Sequence, residues 1–129
     1  MDPNAHKKGL LNKLSKEQAL EKLEAEDFCR KTLSFYRYVI LENPEQFRDD
    51  LFKHWNELDC LGRIYVAREG INAQMNVPEH HWEQFIASLN TFEELKNIPL
   101  KIAVEDDGKS FYKLTIKVRE QIVADGLPL

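Results

Sequence analysis

The spacing of apolar residues predicts two amphipathic helices in the middle of the chain. In each of them apolar side chains recur every three or four positions, which places them on one helical face. Asn43 and Pro44 begin the first helix, because Asn caps a helix and Pro at the first helical position loses no hydrogen bond. The apolar positions are Phe47, Leu51, Trp55 and Leu58 in the first helix and Trp82, Phe85, Ile86 and Leu89 in the second.

Three segments have the patterns of β-strands. Residues 32–40 are rich in aromatic and β-branched residues, with apolar groups at odd and even positions, which favours a central strand. Residues 62–67 and 71–77 flank a Gly-containing connection of hairpin length. The second arm alternates throughout, so we expect one buried face and one face towards water or a ligand. Its polar side chains are Asn72, Gln74 and Asn76.

The chain ends suggest further elements. A capping box at residues 15–18 starts a thinly apolar helix. Leu100, Ile102 and Val104 indicate a strand, and the turn at 106–108 leads into another. The resulting order predicts an α+β fold of the ferredoxin-like or acylphosphatase-like split βαβ type (βαββαβ), with an N-terminal helix and an extra C-terminal strand.

The same patterns divide the chain into four parts. We expect a disordered tail over 1–14, the N-terminal helix over 15–28 and one acylphosphatase-like domain over 31–126. Residues 127–129 would begin a linker. The length of 129 residues, with 43% hydrophobic and 31% charged residues, fits one globular domain of this kind.

Charge and cysteine content narrow the function classes. The formal charge of -4 argues against a protein that binds nucleic acid through net charge alone, so an anion-binding surface would have to be local. Two cysteines do not make a disulfide framework. The sequence shows neither a signal peptide nor a membrane span, and a reducing cytoplasm is the simplest location.

Residues 109–119 contain four cations and no acid. With period two, Tyr112 and the aliphatic residues 114, 116 and 118 share one face, and the cations share the other face with an aromatic ring. Such a face suits single-stranded RNA, because cations meet phosphates and a ring stacks on a base. Lysines on an edge strand also prevent sheet-to-sheet aggregation, and the residues by themselves favour this interpretation over RNA contact. The candidate RNA-binding residues on this strand are Lys109, Phe111, Lys113, Lys117 and Arg119.

The hairpin supplies a second, weaker set of candidates. Arg63, Arg68 and Asn72 could offer donors to a phosphate or a base edge. An ordinary hairpin tip with an Arg–Glu surface pair is the interpretation that the sequence favours for Arg68 and Glu69.

Other reactive side chains point to no site. His80 and His81 are sequence neighbours and cannot share a metal as an i, i+4 pair could, so we predict surface histidines and no metal. Cys29 and Cys60 are placed like small buried hydrophobes, although Arg30 and Lys31 make Cys29 the better candidate for a reactive thiol. We predict no catalytic residue and no cofactor within this chain.

Residues 62–78 (GRIYVAREGINAQMNVP) and 106–126 (DDGKSFYKLTIKVREQIVADG) resemble the N-terminal domain of the bacterial rhodanese-type tRNA uridine hydroxylases. The resemblance extends from about residue 32 to 126. It implies an enzyme that uses oxygen to convert the wobble uridine of certain tRNAs to 5-hydroxyuridine. It also implies an acylphosphatase-like domain followed by a rhodanese domain that carries the catalytic cysteine.

The resemblance changes the weight of the alternatives. The chain stops where the rhodanese domain would begin, so we expect this region to have no hydroxylase or sulfurtransferase activity of its own. It also makes tRNA contact the favoured role of the basic strand. A docking module that packs on the rhodanese domain or another protein, without RNA contact, stays open as the alternative. We expect no phosphatase activity, because residues 41–44 (LENP) replace a Gly-rich anion-binding loop.

Overall fold

The computed structural model describes residues 15–103 and 111–122 of the chain. Within these ranges three α-helices and five strands follow one another, with short 3₁₀ turns at Glu79–His81 and Glu93–Leu95. The elements are α1 (Lys16–Glu24), β1 (Arg30–Tyr38), α2 (Pro44–Glu57), β2 (Leu61–Ala67), β3 (Gly70–Pro78), α3 (Trp82–Thr91), β4 (Lys101–Ile102) and β5 (Leu114–Val118).

The five strands form one sheet in the order β4-β1-β3-β2-β5. β1 pairs with β3 and β4, and β2 pairs with β3, all antiparallel, while β5 runs parallel to β2. The predicted α+β arrangement, with an N-terminal helix and an extra C-terminal strand, is therefore confirmed. β1 has a neighbouring strand on each side, β4 and β3, as predicted for a central strand that begins near residue 32.

The helices begin where their capping residues predict. Ser15 Oγ accepts a hydrogen bond from the backbone N–H of Gln18 at 3.2 Å, and the Gln18 side chain accepts one from the Ser15 N–H at 3.1 Å. Asn43 Oδ1 accepts from the Gln46 N–H at 3.1 Å, with Pro44 in the first turn of α2. Both caps satisfy amides that would otherwise lack partners inside the helix.

The main core lies between one face of the sheet and helices α2 and α3. Trp55 is its largest fully buried side chain, and its indole N–H donates to Ser88 Oγ at 3.2 Å. This bond joins α2 to α3, because the two residues lie on different helices. The predicted apolar face of α2 is confirmed, since Phe47, Leu51 and Trp55 are all buried.

Gly62 allows β2 and β3 to approach closely. A Cβ at this position would collide with the Cβ of Met75, its register partner on β3. The glycine of the hairpin, Gly70, has φ +151°, and a Cβ there would collide with the Arg37 carbonyl oxygen. Both glycines therefore set how tightly β3 packs between its neighbours.

The C-terminal strand is shorter than the alternating pattern suggested. β5 begins at Leu114, and residues 111–113 precede it as an irregular segment. Tyr112 therefore does not join Leu114 and Ile116 in the main core, which corrects its predicted placement. It lies near α1 instead, with Lys16 Nζ 5.8 Å from its ring centroid. Val104 and the turn at 106–108 lie outside the described residues.

Arg30 joins three separate parts of the chain through a buried guanidinium. It makes a bidentate pair with Glu26, at 2.8 Å from Nε to Oε1 and 2.6 Å from Nη2 to Oε2. Nη1 donates to the carbonyl oxygen of Asp59 at 2.7 Å and to Asn76 Oδ1 at 2.9 Å. Nη2 also donates to Asp59 Oδ2 at 3.2 Å. The side chain is 2% exposed, so these bonds compensate a charge that water does not reach.

Replacing Arg30 with Ala should destabilise the fold by about 3 kcal/mol, because it leaves buried acceptors on Glu26 and Asn76 without a donor. Urea unfolding followed by tryptophan fluorescence measures the change. Arg63→Ala makes the same substitution at an exposed position and should change the free energy of unfolding by less than about 0.5 kcal/mol. Equal midpoints for the two variants would contradict the role given to Arg30.

Candidate nucleic-acid interface

The face of the sheet opposite α2 and α3, here called the open face, carries the polar and aromatic side chains. Residues paired across neighbouring strands share a face, so the register defines rows of adjacent side chains. One row is Lys101, Ser34, Gln74, Arg63 and Thr115. The next row is Tyr36, Asn72, Tyr65 and Lys117.

The described strands contain no acidic residue, although the whole chain has 22 Asp and Glu against 18 Lys and Arg. The two helices on the covered side, α2 and α3, carry five acids and two cations. On the helix-covered side, Lys31 Nζ lies 4.8 Å from the Trp82 ring centroid, and Arg37 donates to the Glu94 and Lys96 carbonyl oxygens. Lys101, Arg63 and Lys117 face the open side. The charged side chains that the strands place on the open side are therefore all cationic.

Four of the predicted RNA-binding residues line one cavity of about 260 Å³. They are Arg63, Phe111, Lys113 and Lys117. Arg63 and Lys117 come from adjacent parallel strands, and the Lys113 carbonyl oxygen accepts from the Gly62 N–H at 2.9 Å. The fold thus brings residues from the hairpin candidates and the basic strand to the same place. Three cations around one hollow suit an anionic group.

Arg119 lies at the end of β5 and stacks on the ring of Tyr65. Its guanidinium carbon is 4.4 Å from the ring centroid, a cation–π contact. The Arg119 N–H donates to the Val66 carbonyl oxygen at 2.8 Å, which continues the ladder between β2 and β5. Arg119 therefore belongs to the open face, as its spacing in the sequence suggested.

Four of the eight candidates do not line this cavity: Asn72, Arg119, Arg68 and Lys109. Arg68 lies at the β2–β3 turn, where it lines a different hollow together with Arg119 and with Glu42, Glu45 and Glu120. Three carboxylates outnumber the two guanidiniums there, which makes that hollow less suitable for a phosphate than the cavity at Arg63. Lys109 lies outside the described residues, so its position stays a prediction.

The polar strip of β3 is largely engaged inside the domain. Asn72 donates through Nδ2 to the Ile122 carbonyl oxygen at 3.1 Å. Asn76 is fully buried against Arg30, which is contrary to the expected face towards water or a ligand. Of this strip, Gln74 alone is exposed. Asn72 therefore holds the segment that follows β5 onto the open face, where the Ile122 side chain is 2% exposed.

Sequence reasoning missed three tyrosines on the open face, namely Tyr36, Tyr38 and Tyr65. Tyr36 and Tyr38 are 58% and 49% exposed, although the apolar character of both faces of residues 32–40 favoured burial on both sides. The informative signal was the residue type: aliphatic and Phe side chains point to the core from 33 and 35, while Thr, Ser and Tyr occupy the alternate positions. A tyrosine side chain tolerates partial exposure to solvent better than Leu or Phe does, because its hydroxyl group can form hydrogen bonds with water.

The loop between β1 and α2 does not resemble an anion-binding cradle. The backbone N–H groups of Val39 and Leu41 already donate to the Glu69 and Arg68 carbonyl oxygens, each at 2.9 Å. Leu41 is buried, and Glu42 is exposed where an anion would have to approach. These two N–H groups are therefore not free to bind a phosphoryl group, and the lack of phosphatase activity stays a prediction.

The histidines are engaged with neighbouring structure. His81 Nδ1 lies 2.8 Å from the Leu58 carbonyl oxygen, and the His80 ring packs edge-on against Phe28 at 4.8 Å between centroids. Within residues 15–103 and 111–122, no cluster of three or more His, Cys, Asp or Glu side chains is arranged to hold a metal ion. Over the same residues, no helix is both long and apolar enough to span a bilayer.

The chain can be compared with known proteins on this basis. Residues 30–122 match the family described as "UPF0176 acylphosphatase like domain". The chain belongs to this family. The match begins at the first residue of β1 and includes all five strands of the sheet as well as Ile122. An acylphosphatase-like domain agrees with the architecture described above.

Curated bacterial relatives share high identity with the chain. A protein named "tRNA uridine(34) hydroxylase" from Leptospira interrogans is 53% identical over 121 residues, covering 94% of this chain and 33% of that protein. Proteins of the same name from Hamiltonella defensa and Escherichia fergusonii are 50% and 47% identical over 119 residues, covering 92% of this chain and 34% of each protein. The chain thus spans about a third of the length of these relatives.

Among solved structures, the chain resembles the dark state of BlrB, a BLUF protein. The TM-score is 0.51 with 11% sequence identity, over 72% of this chain and 75% of that one. At this identity the likeness concerns the fold alone.

The two thiols differ in exposure. Cys60 is buried as predicted, and burial raises its pKa to about 12. Cys29 is exposed, so its predicted burial is wrong. The neighbouring Arg30 turns inwards, and alternation along the chain then directs Cys29 to solvent.

We expect iodoacetamide at about pH 8 to modify Cys29 in the native chain and Cys60 only after unfolding, because the thiolate is the reactive form. Mass spectrometry of labelled peptides measures this. The folded state keeps Cys60 protonated, whereas the unfolded thiol ionises near its ordinary pKa of 9.0. The contribution of Cys60 to stability is therefore complete below pH 9.0 and declines as the pH rises towards about 12. Rapid labelling of both thiols in the native chain would contradict this assignment.

Proposed function

We propose that this chain is the tRNA-holding N-terminal region of an enzyme that hydroxylates the wobble uridine of tRNA to 5-hydroxyuridine with oxygen. The names of the curated relatives support a tRNA-modifying enzyme. The relatives are about three times as long as the region that this chain matches, which leaves room for a separate catalytic domain. In this proposal a rhodanese domain supplies the reactive cysteine, and the chain described here positions the RNA.

The separation of charge carries this proposal. An acidic chain with acid-free strands presents Arg63, Lys101 and Lys117 on the one sheet face that the main helix layer leaves uncovered. Contacts to phosphate position a nucleic acid without specifying its sequence, which is the role expected of a domain that orients a substrate. Arg63, Lys113 and Lys117 would meet phosphates at the shared cavity, with Phe111 as a ring beside them.

Protection of the sheet edge explains only part of this surface. Lys117 lies on the edge strand β5, where lysine commonly prevents aggregation. Arg63 lies on β2, which has strands on both sides, so edge protection does not account for it. Arg63 and Lys117 nevertheless line the same cavity. Anion binding explains both residues with a single cause.

We expect Lys113→Gln and Lys117→Gln to weaken tRNA binding because each removes a phosphate contact. Each substitution should also reduce the slope of log affinity against log salt by about 0.7–0.9. Fluorescence anisotropy over a salt series measures both quantities. Lys53→Gln is the matched control, since it removes an exposed lysine from α2 in the opposite layer. Unchanged affinity and slope for the two β5-side variants would favour edge protection.

Interdomain docking is the second candidate function. Its specific support is the segment after β5, which crosses the open face with the Ile122 carbonyl oxygen on Asn72 and the Ile122 side chain buried. A following domain could pack on Gln74 and its neighbours without any RNA contact.

Backbone amide shifts of the isotope-labelled chain separate the two candidate functions. Addition of tRNA should perturb residues 63, 113 and 117 because they line the cationic cavity. Addition of a separately produced rhodanese domain should perturb residues 72, 74 and 122 if the open face is an interdomain contact. Perturbation by the rhodanese domain, with no response to tRNA, would reject RNA holding in favour of docking.

A further inference from the structure

The two exposed tyrosines of β1 have no role in the core or in the cationic cavity. Tyr36 and Tyr38 project from the open face with their ring centroids 6.5 Å apart and their planes at 85°. They are among the most exposed large hydrophobic side chains of the described residues. β4 pairs with β1 only at Leu33 and Ser34, so the outer side of β1 beyond Ser34 has no strand partner in the described part of the chain. Both rings are therefore accessible to a ligand from the open face and from the outer side of β1.

A cation, Lys101, lies on the same face of the sheet as these rings. Lys101 pairs with Ser34, which is the same-face neighbour of Tyr36 on β1, and Lys101 is exposed. None of the strands that flank the rings contributes a carboxylate. An exposed ring with a cation beside it can stack on a base while the cation meets a phosphate of the same strand. A stretch of paired RNA offers no such base, because its faces are already stacked within the helix.

We propose that Tyr36 and Tyr38, with Lys101, form a subsite that stacks unpaired bases of RNA. The subsite rests on the proposed function and adds to it, since the proposed role of the cavity at Arg63 and Lys117 is to supply the phosphate contacts. β1 and β5 are three strand spacings apart, about 14 Å, which lies within the several nucleotides that a single-strand-binding domain covers. One RNA loop can therefore contact both, with Ile122 and its contact to Asn72 between them. The substrate class is RNA with an unpaired loop.

Substitution of both tyrosines tests the stacking. Tyr36→Val with Tyr38→Val keeps a high strand propensity and removes the rings, while Tyr36→Phe with Tyr38→Phe keeps the rings. The probes are a short single-stranded uridine-rich RNA and an RNA duplex of equal length, titrated over a salt series. The valine variant should lose about 5- to 150-fold in affinity for the single strand per stacked base, with an unchanged salt slope. The phenylalanine variant should bind like the parent chain.

Two comparisons make the result specific. Ile40→Thr changes an 80% exposed apolar residue just beyond the end of β1 and should leave the affinity unchanged, because it removes no ring. Urea unfolding of each variant verifies that the fold is kept. Loss of affinity in the valine variant alone, without a change in duplex binding, supports the subsite. Parent-like affinity of the valine variant, or equal loss in the phenylalanine variant, overturns it.

The experiment also separates this subsite from the proposed function. If Lys117→Gln lowers the RNA affinity and the double valine variant does not, the chain holds RNA without stacking, and only the subsite is wrong. A chain that binds neither probe overturns both proposals. A chain in which ring removal lowers the affinity and the salt slope together has rings that support phosphate contacts, which overturns stacking as well.

Discussion

The compensation of the buried Arg30 charge is the constraint on which the rest of the structure depends. A guanidinium removed from water needs acceptors for its donors, and the protein supplies Glu26, Asp59 and Asn76 from three distant parts of the sequence. These bonds fix the end of α1, the turn before β2 and the last part of β3 at one corner of the sheet. Asp59 has φ +59°, which lies in the left-handed region of backbone conformation that Asp tolerates better than most residues. The corner also explains why Cys60, next to Asp59, is buried.

Two consequences of this corner reach the open face. Asn76 is used internally, and Lys16 of α1 lies near Tyr112, so one end of the face is closed by the domain itself. The segment after β5 occupies the centre through Ile122 and Asn72. What stays accessible are the cations beside β2 and β5 and the tyrosines of β1. The open face is thus divided into a region that suits phosphate and a region that suits flat rings.

The alternation of β3 predicted its buried residues correctly, because Ile71, Ala73, Met75 and Val77 are all inaccessible. It did not predict that two of the three amides on the other side would be engaged within the domain. Periodicity reports which side of a strand a residue occupies, but it contains no information about what the rest of the chain places there. Arg30 and Ile122 lie 46 and 50 residues away from the amides that they bind. The same limit separates Arg63 from Lys117, whose proximity depends on the parallel pairing of β2 with β5.

The sequence by itself determined the order of helices and strands, their caps, the core positions of α2 and β3, and the acid-free character of the basic strand. These are local properties, since caps depend on neighbouring residues and core positions on a repeat of two or 3.6 residues. Only the tertiary structure decided which cations share a cavity, which tyrosines are left uncovered, and which amides of β3 are engaged within the domain. Those outcomes depend on strand order and on long-range compensation of buried polar groups, and both are set when distant segments pack together.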